Sequence, residues 1–206
     1  HYTRASLTER VKVVMIGASS IQPNTGVGCA GADEPNNDYK NKVSYTTKTG
    51  GFTTNSAQSY SSADVTQSYF ADYPGSCPRI KHAYLYWGGS AYAENVDANY
   101  WNERVYITRP NGTESGAISA QYYGSTEGFE SERTGGSAAS DDCMSYWAMA
   151  DVTSVLAGQG IGTIGVRGVK ADINDSKGGA IAGWCLVLLY EDGTSDSYPE
   201  TQFTLF

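Results

Sequence analysis

Residues 182–192, AGWCLVLLYED, are apolar on both alternating faces: Ala182, Trp184, Leu186, Leu188 and Tyr190 on one, Cys185, Val187 and Leu189 on the other. Successive strand side chains point to opposite sides, so this run predicts a strand dry on both faces, in the middle of an assembly. The remaining patterns are shorter. RVKVVMIGAS predicts a first strand through Val11, Val13 and Met15, followed by a long polar loop, SSIQPNTGVGCAGADEPNNDYKN. KVSYTTKT alternates with period two, and RIKHAYLYWGG reads as a strand that ends at Gly88-Gly89. RVYITRPNGT runs into a Pro-Asn-Gly turn, with GAISAQYYG as the return strand of that hairpin. A strand from Tyr146 to Ala150 leads to Asp151, which suits the cap of a helical turn over Thr153 to Ala157. Gly158 and Gly160 end that turn, and a strand resumes with Ile164 and Val166. TQFTLF reads as a strand cut at the end of the chain.

Many short strands, one helical turn and long decorated loops predict an all-β fold. The expected architecture is a β-sandwich, jelly-roll-like, with one short helical turn and long loops, as a single domain over residues 1–206.

Charge and composition narrow the function classes. Asp and Glu total 22 against 14 Lys and Arg, a net charge of −8, and no basic cluster breaks the pattern. Nucleic acid and anionic membrane surfaces are therefore poor partners. No run approaches the ~20 apolar residues of a membrane span, so no membrane insertion is expected. The first residues, HYTRASLTER, carry neither Met nor an apolar leader, which reads as a processed or truncated amino end.

Four cysteines, Cys29, Cys77, Cys143 and Cys185, are widely spaced, with no CxxC pair and only two histidines in the chain. Zinc sites need local ligand pairs, so disulfides are the expected use. Of the three possible pairings, Cys29–Cys77 and Cys143–Cys185 are expected, stapling a long loop and joining two core segments.

Three segments in order, AYLYWGG (83–89), YWAMADVTSVLAGQGIGTIGV (146–166) and AGWCLVLLYED (182–192), resemble a domain of large secreted bacterial surface proteins. Some of these are gliding-motility or biofilm adhesins, with the domain near the amino end and long repeat arrays after it. VVMIGAS fits the same pattern, so the resemblance runs from about residue 11 onward. It implies an extracellular location at the bacterial cell surface, and a chain that stops inside the domain, before a further strand reading like LFDGF. Cys185 stands where relatives carry a small residue. No catalytic motif comes with the resemblance: Trp87, Gly88, Asp151, Thr153, Trp184 and Tyr190 read as core, cap and strand-end positions.

Candidate sites follow three chemistries. For catalysis, His82 sits on a strand facing the same way as Tyr84 and Tyr86, but no GxSxG elbow supplies a nucleophile. The carboxylates Glu127, Glu130, Glu132, Asp141 and Asp142 share one Gly/Ser-rich loop and read as solvated rather than as a glycosidase pair. For metal, no cofactor is required, and calcium is the one cation the loops suit. Asp172, Asn174 and Ser176 offer oxygens at alternate positions before Gly178, although Gly183 stands where an EF-hand glutamate would be. A second Asx-rich stretch is GADEPNND. For ligand binding, Tyr92, Tyr100, Trp101, Tyr122 and Tyr123, with Phe129, fall in or beside loops, where amphipathic rings stack on sugars or anchor proteins. The sequons at Asn111 and Asn174 read as chance.

Together these features predict no enzyme. The expected role is a non-catalytic extracellular module of a bacterial surface adhesin or filament, meeting a surface glycan, a protein ligand or neighbouring filament subunits. The alternatives are a fibre subunit that polymerises by strand exchange through TQFTLF, and a secreted carbohydrate-active enzyme working through the acidic loop.

Overall fold

The computed structural model describes residues 5–23, 45–47, 60–92, 104–126, 143–169, 182–194 and 197–205. Twelve strands are present among them: β1 (Ala5–Arg10), β2 (Lys12–Ser19), β3 (Ile21–Pro23), β4 (Tyr45–Thr47), β5 (Tyr60–Val65), β6 (Pro78–Tyr92), β7 (Tyr106–Thr108), β8 (Tyr122–Thr126), β9 (Cys143–Asp151), β10 (Gly162–Arg167), β11 (Ala182–Asp192) and β12 (Glu200–Leu205). They form a five-stranded sheet in the order β2-β11-β6-β9-β8, a three-stranded sheet β5-β10-β7, and the two-stranded pairs β1-β12 and β3-β4. All pairing is antiparallel. The protein is an all-β sandwich.

The doubly apolar run lies where its pattern requires. β11 sits between β2 and β6. Its Trp184, Leu186, Leu188 and Tyr190 join the main core, where Leu85, Trp87 and Ala148 of the same sheet meet Val65, Ile107, Ile164 and Val166 of the three-stranded sheet. The Trp184 indole N–H donates to Ser61 Oγ at 2.8 Å, tying one sheet to the other. On the opposite face, Val187 and Leu189 join Tyr84, Met149 and Val11 in a second cluster, against which Leu7 of β1 and Phe203 of β12 pack. The β1-β12 ribbon therefore covers part of the outer face, and Phe203 stacks on Tyr84 with centroids 6.2 Å apart.

A bulge adjusts β6 to this double burial. Leu189 opposes His82 while Tyr190 opposes Ile80, leaving Lys81 as the extra residue. With one residue inserted, Ile80 and Ala83 both reach the main core although three positions separate them. The helical turn Thr153–Leu156 packs at this bulged end of β6. Asp151 Oδ1 accepts the Thr153 N–H at 2.9 Å, as expected of a residue that starts the turn, and Thr153 Oγ1 accepts the Ala83 N–H at 3.1 Å. Gly158 closes it with φ of +78°, a conformation glycine adopts without a Cβ penalty. A second turn, a 3₁₀ stretch over Gln67–Phe70, places the fully buried Phe70 in the core.

Four expectations change. β6 does not end at Gly88-Gly89 but pairs with β9 through both glycines to Tyr92. The long polar loop after the first strand contains β3, paired with β4. The return arm of the Pro-Asn-Gly hairpin makes only isolated bridges at Glu114 and Ile118, then crosses to the other sheet as β8. Finally, Cys77 and Cys185 are free thiols, so neither expected disulfide forms. Register explains the Cys143–Cys185 case. Cys185 lies opposite Tyr86, and Tyr86 opposite Met149, whereas Cys143 lies opposite Tyr92. Six residues along β9 amount to roughly 20 Å, and a disulfide needs Cα atoms within about 7 Å. Cys29 lies outside the described residues.

Candidate functional site

Residues paired across an antiparallel sheet share a face, so the register maps the outer surface of the five-stranded sheet row by row. One row reads Met15 (β2), Val187 (β11), Tyr84 (β6) and Asp151 (β9). The next reads Gly17, Cys185, Tyr86, Met149 and, on β8, Tyr122. The third reads Ser19, Gly183, Gly88, Trp147 and Gly124. The ribbon packs on the part of this face around Tyr84, Val187 and Leu189. Beyond it, Met15 is 63 % exposed, Tyr122 46 % and Trp147 40 %.

The third row is nearly bare backbone. A Cβ at Gly124 would fall 2.8 Å from Trp147 Nε1 and 2.9 Å from Cε2, so the indole lies directly over that glycine. Gly88 and Gly183 flank the same row without side chains. The result is a shallow glycine floor with Trp147 lying along it, and Tyr86 and Tyr122 in the adjoining row about two strand spacings, roughly 10 Å, apart.

The outer face of the three-stranded sheet is built otherwise. Arg167 forks onto Glu114 at 2.6 and 2.7 Å, and its guanidinium sits 3.7 Å over the Tyr106 ring. Its polar groups are engaged with one another.

Where the ribbon meets the sheet, a charged cluster sits at the bulge. Glu9 Oε2 of β1 contacts Lys81 Nζ at 3.1 Å and His82 Nε2 at 3.2 Å, and Lys81 also reaches Glu191 at 3.6 Å. Burial raises the Glu9 carboxyl, but the hydrogen bonds from Lys81 and His82 outweigh it and hold the group below its ordinary value. A folded-state pKa below the unfolded one adds stability above the unfolded carboxyl's range, about 4.3, and that stability is lost as pH falls through the folded value. The melting temperature should therefore drop more steeply below about pH 4.5 in the wild type than in Glu9→Gln, by the ~0.5–1 kcal/mol of a partly exposed pair. Thermal melts from pH 7 to pH 3 check this; identical acid limbs would remove Glu9 as a latch. His82 is held by Glu9 where β1 meets β6.

The residues expected from sequence fall out unevenly. Tyr122 and Tyr123 are both exposed, but on edge strand β8 rather than in a loop. They also face opposite ways. Tyr122 joins the outer face, while Tyr123 pairs with Ala148, whose side chain enters the main core. Tyr92 ends β6 opposite Cys143, again within a strand. Tyr100, Trp101 and Phe129, the calcium candidates Asp172, Asn174 and Ser176, the GADEPNND stretch and the acidic loop lie outside the described residues. Among the described residues, no group of three or more His, Cys, Asp or Glu is placed to hold a metal ion, and no helix is long and apolar enough to cross a membrane. Burial pushes the Cys185 thiol up, away from the reactive thiolate. Asn111 Oδ1 accepts from both the N–H and the hydroxyl of Thr113, an Asx turn that accounts for this sequon locally.

Sequence reasoning passed over Met15, Tyr86 and Trp147. The signal was present for Trp147: in SYWAMA it alternates with Tyr146 and Ala148, which are buried in the main core. Period two puts it on the opposite, outer face.

No protein-family model, no curated protein and no solved structure matches the chain.

Proposed function

We propose that this protein is a non-catalytic recognition module of an extracellular bacterial surface adhesin or filament, and that it attaches through the outer face of its five-stranded sheet to a neutral glycan. One observation supports this most: Trp147 and Tyr122 stay substantially exposed on a face whose neighbouring part is covered by the β1-β12 ribbon. Clustered, partly exposed rings on a sheet face support a recognition surface. The ligand class follows from charge. The chain carries −8 overall, and Lys81, on the ribbon side of this face, is already engaged by Glu9 and Glu191. Among the described residues of this face an anionic polymer finds no unengaged cation, whereas sugar rings need only stacking and hydrogen bonds.

A glycan array carrying neutral, acidic and amino sugars tests the reading. Neutral polysaccharides should dominate the bound set, and binding should weaken little with added salt because no ion pair forms. Binding confined to acidic glycans, or none at all, would overturn it. Polymerisation through TQFTLF is a weaker reading, because Thr201–Leu205 of that segment are paired with β1 and exchange would first have to break the ribbon.

A further inference from the structure

Four buried side-chain oxygens among the described residues have no hydrogen-bond partner: Ser20 Oγ, Ser76 Oγ, Tyr190 OH and Tyr198 OH. Ser20 stands apart, beside Ala182 at the start of β11. The other three gather at its far end. The Tyr190 and Tyr198 rings both pack on Phe70, with centroids at 5.1 and 6.2 Å, and Tyr73 sits 4.9 Å from Tyr198. Ser76 is fixed in the same corner by its N–H, which donates to the Tyr73 carbonyl at 3.1 Å. The next residue closes the corner: Cys77 N–H donates to Asp192 Oδ1 at 3.0 Å, and Gly193 N–H donates to the Cys77 carbonyl at 2.9 Å.

Tyr190 and Tyr198 are almost completely buried, at 0 % and 1 % exposure. Folded proteins rarely leave a buried hydroxyl unpaired, and where protein atoms do not serve it, an internal water does. A single orphan could be tolerated as a local cost. Three in one corner point to a shared partner.

We infer that Tyr190, Tyr198 and Ser76 hold one internal water molecule, which joins the end of β11 to the segment that leads into β12. Water fits the chemistry: it donates twice and accepts twice, and each hydroxyl can do either. The titration behaviour agrees with this proximity. Burial first, and then Tyr198, raises Tyr190; burial also raises Tyr198, against a lowering by the neighbouring Ser76 side chain. The site gives Tyr190 a purpose beyond filling space. It anchors Tyr198, whose carbonyl also accepts from Arg10 Nη1 at 3.4 Å, and so fixes where the ribbon leaves the sandwich.

A high-resolution crystal structure of the protein should show one ordered water within about 2.6–3.2 Å of at least two of the three oxygens. A dry corner, or hydroxyls bonded directly to each other, would overturn the inference. Tyr190→Phe and Tyr198→Phe supply a test by sign, since each keeps the ring and its packing. If the hydroxyls serve a water, each variant should lower the folding equilibrium constant by roughly 5-fold or more. If they are true orphans, removing one relieves a buried unpaired group and raises stability. A gain in both variants refutes the site.

Discussion

Trp184→Ala is expected to cost roughly 3–5 kcal/mol and to leave most of the protein unfolded well below the wild-type melting temperature. The indole is 5 % exposed on the central strand, with apolar neighbours from both sheets in the main core. Its loss opens a cavity that two hydrogen-bonded sheets can only partly close. It also strands Ser61, whose hydroxyl loses the 2.8 Å hydrogen bond that crosses the sandwich. Trp184→Phe separates the two contributions by retaining most of the volume while orphaning Ser61, a penalty of about 1–3 kcal/mol. Chemical denaturation of the three proteins measures both. If Trp184→Ala unfolds at the wild-type midpoint, the indole is not part of the core.

Gly88→Ala should be nearly as damaging for a different reason. An added Cβ would lie 2.5 Å from the Tyr146 carbonyl oxygen, a backbone atom of the adjoining strand β9. A flexible side chain could yield; a paired strand cannot yield without breaking its ladder. Overpacking of this kind costs about 1–3 kcal/mol, with more where backbone must move. Gly17 meets the same obstacle, 2.5 Å from the Trp184 carbonyl, and should behave alike. Gly116→Ala is the control, because nothing lies within 4 Å of its added carbon, and its melting temperature should stay near that of the wild type. Equal effects at Gly88 and Gly116 would contradict the close approach of β6 and β9.

These glycines also mark where the sequence was hardest to read. Gly88-Gly89 looked like punctuation because glycine commonly ends strands. Here glycine is required inside β6 by the carbonyl of β9, a contact between segments some sixty residues apart along the chain that no local window contains. The cysteines failed for a related reason. An even count suggested bridges, but the six-residue offset between Cys143 and Met149 exists only once β6 and β9 are in register. Nothing in GAISAQYYG announces that the hairpin return after Gly112 leaves β7 for the opposite sheet.

Local physics was legible where one residue's neighbours decide it. The alternation of β11 fixed both its faces, and its double burial followed from both being apolar. Asp151, which accepts the Thr153 N–H from one residue ahead of the N-cap Val152, and Gly158 bracket the helical turn because side-chain hydrogen bonding at a turn start and positive φ are properties of single positions. The facing of His82 with Tyr84 and Tyr86 followed from period two; that Glu9 would meet His82 from β1 did not. For the candidate site, Tyr122 and Tyr123 were recognised as exposed rings, yet only the register splits them between opposite faces and brings Trp147 beside Tyr122. A candidate surface assembled from four strands is a tertiary property, and its members are ordinary strand residues one by one.

On the proposed reading, the part of the outer face around Trp147 binds the ligand while the main core lies on the opposite face of the sheet. The most direct measurement is the affinity of wild type, Trp147→Ala and Tyr123→Ala for one neutral polysaccharide selected on the array, with the melting temperature of each recorded alongside. Trp147→Ala should weaken binding by roughly 30-fold or more, the ~2 kcal/mol of an aromatic anchor, and lower the melting temperature far less than Trp184→Ala, since the ring is 40 % exposed against 5 % for Trp184. Tyr123→Ala, on the opposite face of the same edge strand, should bind as the wild type does. A Trp147→Ala protein that binds normally but melts early would contradict the account, making the indole packing and placing recognition on another surface.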